Sequence, residues 1–153
     1  QTYRGSCHCG TVVFEVEAKI DQVSVCDCSI CCKKGILHYP VQDEHFTLLE
    51  GRENLSLYQF GTHEASHWFC NYCGIHTFGR PRMDPSRYTV NVRCLDDFDN
   101  IIENTNEKSF NGKQHPLDGK QPQGGNNISG TKLLETGYAD KAKKLTVLVE
   151  CLL

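Results

Sequence analysis

Seven cysteines in three groups carry the chemistry that can be read from this chain. The central group is Cys26-Asp27-Cys28-Ser29-Ile30-Cys31, with Cys32 directly after it. Cys7-His8-Cys9 lies near the start, and Cys70-Asn71-Tyr72-Cys73 lies just before the midpoint. Thiolates suit Zn²⁺, which takes four protein ligands in structural sites and three plus an open position in catalytic ones. Thiols at C-x-C and C-x-x-C spacing chelate one ion at little loop-closure cost. Seven thiols divide into four plus three, one closed site and one open.

The flanking pairs form the natural closed site. Cys7, Cys9, Cys70 and Cys73 supply four sulfurs and tie the first strand to a segment far along the chain. Such a site stabilises and does no chemistry. Cys26, Cys28 and Cys31 remain, and three thiolates leave a corner for water or a substrate sulfur. Three negative ligands weaken the metal as a Lewis acid but suit a soft incoming thiolate. The competing reading fills the corner with Cys32, Cys94, His67 or His76 and makes a second structural site. Adjacent side chains diverge, so Cys32 is a poor partner for the ion of Cys31. Cys151 reads as a packed apolar residue.

Composition narrows the class. Ten cysteines in 153 residues would also fit a disulfide-stapled secreted domain, but the close spacings favour metal. A hydrophobic fraction of 39% suffices for one core at this length. The net charge of -3, with no basic tract, gives nucleic acid or an anionic membrane no electrostatic support. No run of 18 apolar residues offers a membrane span, and no signal segment opens the sequence. The expected compartment is cytoplasmic, where the two N-x-S sequons carry no meaning.

The elements that must position the thiols are short strands. Residues 3–9, 11–16, 23–26, 36–41, 46–49, 55–60, 65–69, 75–78 and 88–92 are β-branched, aromatic or alternating, and glycine or proline punctuates them. In an extended segment, residues i and i+2 share a face, so Cys7 and Cys9 can present both sulfurs to one ion. Residues 29–34 are predicted to curl into a helical turn that returns Cys31 and ends at Gly35. Proline at position 40 is expected to stop its strand at or just after it. Residues 104–130 are polar and glycine-rich and predict a long loop or arm. Residues 145–153 predict a final strand. The whole is a mostly β domain with metals fastening its ends.

These motifs identify the chain as similar to the glutathione-dependent formaldehyde-activating enzyme family, and within it to the centromere protein V branch. The resemblance rests on Gly5-Ser6-Cys7-His8-Cys9-Gly10, on Cys26 to Cys31 and on Phe69-Cys70-Asn71-Tyr72-Cys73-Gly74. It extends to Val92-Arg93-Cys94-Leu95-Asp96-Asp97 and Phe110-Asn111-Gly112. It implies a small Mss4-like β fold with two Zn²⁺ sites. By resemblance, Cys7, Cys9, Cys70 and Cys73 match the structural ligands, and Cys26, Cys28 and Cys31 match the catalytic ones. The implied activity is that of a carbon-sulfur lyase acting on a thiol-aldehyde adduct such as S-hydroxymethylglutathione. Glutathione and formaldehyde are the implied reactants. The alternative, taken from the centromere branch, is a non-catalytic zinc-stabilised interaction module. The expected organisation is a zinc domain over residues 1–115, a polar arm over 116–144 and a terminal strand over 145–153. Cys32 stands where relatives carry a basic residue.

Several other residues have two readings each. Lys33, Lys34, Arg80 and Arg82 could hold the carboxylates of an acidic thiol, or be surface charges. His67 and His76 could move a proton near neutral pH, or be structural. Trp68, Phe69, Tyr72 and Phe78 read as core around the closed site. Asp96 and Asp97 read as a helix cap.

Overall fold

The computed structural model describes residues 1–118. Ten strands and two short helices make up its regular structure, with three single-turn 3₁₀ segments between them. A three-stranded antiparallel sheet consists of β1 (Thr2–Ser6), β2 (Val13–Glu17) and β5 (Phe46–Glu50), in the order β1-β2-β5. A larger sheet contains β3 (Gln22–Cys26), β4 (Leu37–Val41), β6 (Leu55–Tyr58), β7 (Ser66–Cys70), β8 (His76–Arg80), β9 (Tyr88–Asn91) and β10 (Asn106–Phe110). Its order is β10-β3-β4-β9-β8-β7-β6. Helices α1 (Ser29–Lys34) and α2 (Phe98–Glu103) each make under two turns. No helix of the described residues is long and apolar enough to cross a membrane.

The core lies where the two sheets meet. Phe14 and Phe46 come from the small sheet, and Phe78 and Tyr88 from the large one. Their rings pack in contact, with centroids 4.1 Å apart for Phe46–Tyr88, 4.7 Å for Phe46–Phe78 and 5.9 Å for Phe14–Phe78. Val12, Phe14, Val16, Val23, Val90 and Val92 are fully buried around them. β-Branched and aromatic side chains fill a pleated interface well, which is why these segments read as strands.

The strand and helical-turn expectations are met, with α1 ending at Gly35 as anticipated. Strand β4 runs through Pro40, which pairs opposite Thr89, to Val41. Three expectations need correction. Residues 106–110 belong to no loop: they form β10, paired in parallel with β3 from Asn106↔Gln22 to Phe110↔Cys26. Tyr72 is no core residue, since it is 57% exposed on the outside of its turn. Asp97 sits at the N-cap of α2 but gives no cap hydrogen bond; its Oδ2 accepts from the Asn100 side chain instead. The rest of the expected loop, from residue 119, the expected strand over 145–153 and Cys151 lie outside the described residues.

Candidate metal centres

Two matching turns build the first centre. After β1, the amide of Cys7 donates to the carbonyl of Val12, and the amide of Gly10 donates to that of Cys7. After β7, the amide of Cys70 donates to the carbonyl of Ile75, and the amide of Gly74 donates to that of Cys70. Gly10 and Gly74 have φ of 75° and 76°, a conformation that costs a side-chain-bearing residue energy. Each turn thereby delivers two sulfurs to one point. The Sγ atoms of Cys7, Cys9, Cys70 and Cys73 all lie within 4.8 Å of one another. Cys7–Cys9 are 3.5 Å apart and Cys9–Cys70 are 3.6 Å apart. Zinc–sulfur bonds of about 2.3 Å in a tetrahedron require sulfur separations of about 3.8 Å. The donor set and its spacing therefore fit zinc. Hydrogen bonding to Thr11 draws the Cys9 thiol down to about 6, while burial pushes Cys70 up to about 12.

The second centre forms where β3 runs into α1. Cys26 ends the strand, Cys28 stands at the helix N-cap, and Cys31 is buried on its first turn. Their three Sγ atoms also lie within 4.8 Å of one another. Hydrogen bonds from Cys26 and then Cys31 draw the Cys28 thiol down to about 2. The same crowding holds Cys31 and Cys26 above the ordinary thiol range. Three thiolates this close repel one another unless a cation lies among them. That competition is the property expected of a soft-metal site, and the donors fit zinc here too.

The chain closes this centre from the side with β10. The Asp27 amide donates to the Phe110 carbonyl, and Asp27 Oδ1 accepts from the amide of Lys113 at 2.9 Å. Gly112, buried between these contacts, lies against Cys26 Sγ and the Cβ of Cys28 with no room for a Cβ of its own.

No further Cys, His, Asp or Glu ligand atom of the described residues lies within 4.8 Å of all three sulfurs. None of the proposed fourth ligands, Cys32, Cys94, His67 and His76, joins that group. The exposed Cys32 points its Sγ toward the Cys26 carbonyl at 3.8 Å. Cys94 donates to the His76 carbonyl, and burial holds its thiol up at about 12. His67 and His76 lie on the neighbouring face of the large sheet, their ring centroids 5.8 Å apart.

A β-bulge puts His76 there. Trp68 pairs opposite Phe78, but Phe69 pairs opposite His76, so Thr77 is the extra residue. In a regular, unbulged strand His76 would share the face of Phe78, two residues on, and enter the core. Instead its Nδ1 meets Lys34 Nζ at 3.3 Å, and Lys34 covers the Phe69 ring at 5.4 Å. Burial first, and then the Lys34 charge, push His67 down to about 4 and His76 down to about 2. Both rings are neutral at pH 7, and His76 serves as the acceptor for Lys34. Burial also lowers the Lys34 pKa.

Of the four candidate cations, only Lys34 stands on this face with its charge unmatched by a protein carboxylate among the described residues. Arg80 pairs with Asp43 and stacks on Tyr88 at 4.0 Å; Arg82 pairs with Glu64 and Asp118. Lys33 is exposed. His38 is the residue that sequence reasoning missed. From β4 its Nε2 reaches to 3.2 Å from Cys31 Sγ. A histidine interrupting an otherwise apolar strand was its only signal.

The sequence profile of the glutathione-dependent formaldehyde-activating enzyme family matches residues 2–111. A crystal structure of a Rhodobacter sphaeroides protein is 38% identical, with a TM-score of 0.62, covering 69% of this chain and 99% of that one. The family match takes in the mostly β domain with both convergent thiol clusters. The chain belongs to the glutathione-dependent formaldehyde-activating enzyme family, whose members are enzymes of the lyase type.

Proposed function

We propose that this protein is a zinc-dependent carbon-sulfur lyase acting on a thiol-aldehyde adduct such as S-hydroxymethylglutathione, in either direction. The catalytic unit is the Mss4-like zinc domain of residues 1–115. Cys7, Cys9, Cys70 and Cys73 hold a structural zinc, and Cys26, Cys28 and Cys31 hold the catalytic one. The observation that carries this reading is the contrast between the clusters: four thiols converge at one and three at the other. A zinc ion at the three-thiol cluster would supply a soft cation that favours a substrate thiolate over its thiol.

The chain's own residues account for the rest. In the lyase direction the hemithioacetal loses its hydroxyl proton, the carbon-oxygen double bond forms, and the carbon-sulfur electron pair returns to sulfur. No oxidant or reductant is needed. Lys34, half-buried and without a carboxylate partner among the described residues, suits a carboxylate of an acidic thiol. His76 holds the Lys34 ammonium in place. His67, neutral and stacked on Phe60 at 5.7 Å, offers an acceptor for the hydroxyl hydrogen. Cys94 is spent on a backbone carbonyl, so it does not convert the three-thiol site into a closed one.

Graded chelation tests this. Native protein should carry two zinc ions, one lost to a mild chelator. Adduct cleavage should disappear with that ion and return when zinc is restored. Full activity after the second zinc has gone would refute the assignment.

A further inference from the structure

His38 sits at the centre of a three-membered chain. Its Nε2 lies 3.2 Å from Cys31 Sγ, and its Nδ1 lies 3.2 Å from Thr89 Oγ1. The three residues come from different elements: Cys31 from α1, His38 from β4 and Thr89 from β9. The β4–β9 register, with His38 opposite Asn91 and Pro40 opposite Thr89, sets the ring and the hydroxyl on one face. Thr89 is β-branched and its hydroxyl has few rotamers to choose from.

We propose that His38 is a positioning residue of the three-thiol centre, donating a hydrogen bond from Nε2–H to the Cys31 thiolate while Thr89 fixes its tautomer. The inference rests on the reading that Cys26, Cys28 and Cys31 hold a metal. A metal-bound thiolate can only accept, so the proton belongs on Nε2. Nδ1 is then a lone pair, and the Thr89 hydroxyl is the donor that satisfies it. Partners of this kind orient a ligand and tune the metal it serves.

The hydrogen bond has an electronic consequence. A ligand set of three thiolates is rich in negative charge and makes its metal a poor Lewis acid. An N–H donor on one sulfur withdraws part of that charge. It also aims the Cys31 sulfur from outside its own helix. The same ring in a purely structural role would need only its shape.

Cobalt distinguishes the two. Native protein is stripped of its labile zinc and reloaded with Co²⁺ at that site alone, leaving zinc in the four-thiol site. The sulfur-to-cobalt charge-transfer band and the Co²⁺ affinity are then read for wild type, His38→Ala, His38→Gln and Thr89→Val. A Gln amide can place a donor near the position of Nε2. The expected result is a band at longer wavelength and an affinity about 10- to 100-fold weaker in His38→Ala, with His38→Gln restored toward wild type. Thr89→Val should fall between. An unchanged band and affinity in His38→Ala overturns the proposal, as does a His38→Gln variant that behaves like His38→Ala. If His38→Ala does not fold, the comparison of Thr89→Val and His38→Gln with wild type decides it in the same terms. Wild-type protein that takes up no Co²⁺ in place of labile zinc refutes the three-thiol metal site itself, and this inference with it.

Discussion

The α-carbon of Gly112 packs against the Sγ of Cys26, leaving no space for a Cβ. The contact links the parallel pairing of β10 with β3 to the geometry of the three-thiol centre. Gly112→Ala is expected to displace Cys26 or Cys28 and weaken metal binding at that centre by at least roughly ten-fold, a loss like that seen when a metal ligand's supports are removed. The four-thiol centre should be unaffected. Competition with a chromophoric chelator measures both affinities in one titration, and equal values for variant and wild type would show that the chain yields there freely.

The two centres should respond differently to losing one sulfur. Cys70 is fully buried and belongs to the same hydrophobic core as the fully buried Val12 and Val16. Cys70→Ser is expected to cost on the order of 4 kcal/mol or more, the range associated with loss of a structural metal. Cys28→Ser, at a half-buried position, should cost much less and release one zinc. Urea unfolding with parallel metal analysis checks both. Comparable destabilisation by the two substitutions would contradict the division into structural and catalytic sites.

How far the site could be read beforehand follows from its geometry. The thiols of each pair are close in sequence, and Gly10 and Gly74 mark the turns that converge them, so local patterning disclosed which thiols cluster. His38 and His76 owe their positions to relations between strands. One depends on the β4–β9 register and the other on the extra residue Thr77 in the β7–β8 pairing, and no local spacing discloses what either ring meets. Strand β10 escaped for a different reason. Asn106 to Ser109 are exposed on a strand whose only neighbour among the described residues is β3, so no apolar alternation marks them.

Lys34 should act on one class of substrate. Lys34→Met removes the cation and keeps much of the aliphatic stem over Phe69. A lost charge-assisted hydrogen bond costs about 1.5–3 kcal/mol, so KM for the glutathione adduct should rise roughly ten-fold or more. The adduct of 2-mercaptoethanol, which has no carboxylate, should be handled alike by variant and wild type. Steady-state kinetics on both adducts measures this, and an equal loss on the two would assign Lys34 to the metal centre's charge balance instead.

His67 makes stability depend on pH. Burial draws its folded pKa from 6.5 to about 4. Between those values the unfolded chain binds a proton that the folded chain does not. Stability is therefore fully present above the unfolded pKa and is lost as pH falls toward the folded one. His67→Phe, which can still stack on Phe60, should lose less stability than wild type between about pH 7 and about pH 5. Denaturation midpoints at both pH values give the comparison, with proton competition at the thiols common to the two proteins. Parallel decline in both would remove His67 as a source.

The claim that the three-thiol centre makes and breaks a carbon-sulfur bond is tested most directly by exchange NMR. Glutathione, formaldehyde and their adduct interconvert without help, so the quantity to read is the rate added per mole of protein. Wild type should accelerate exchange between free and adducted glutathione, and Cys28→Ser with its four-thiol zinc intact should return the rate to the uncatalysed value. Equal rates for the two proteins at matched concentration would contradict the account.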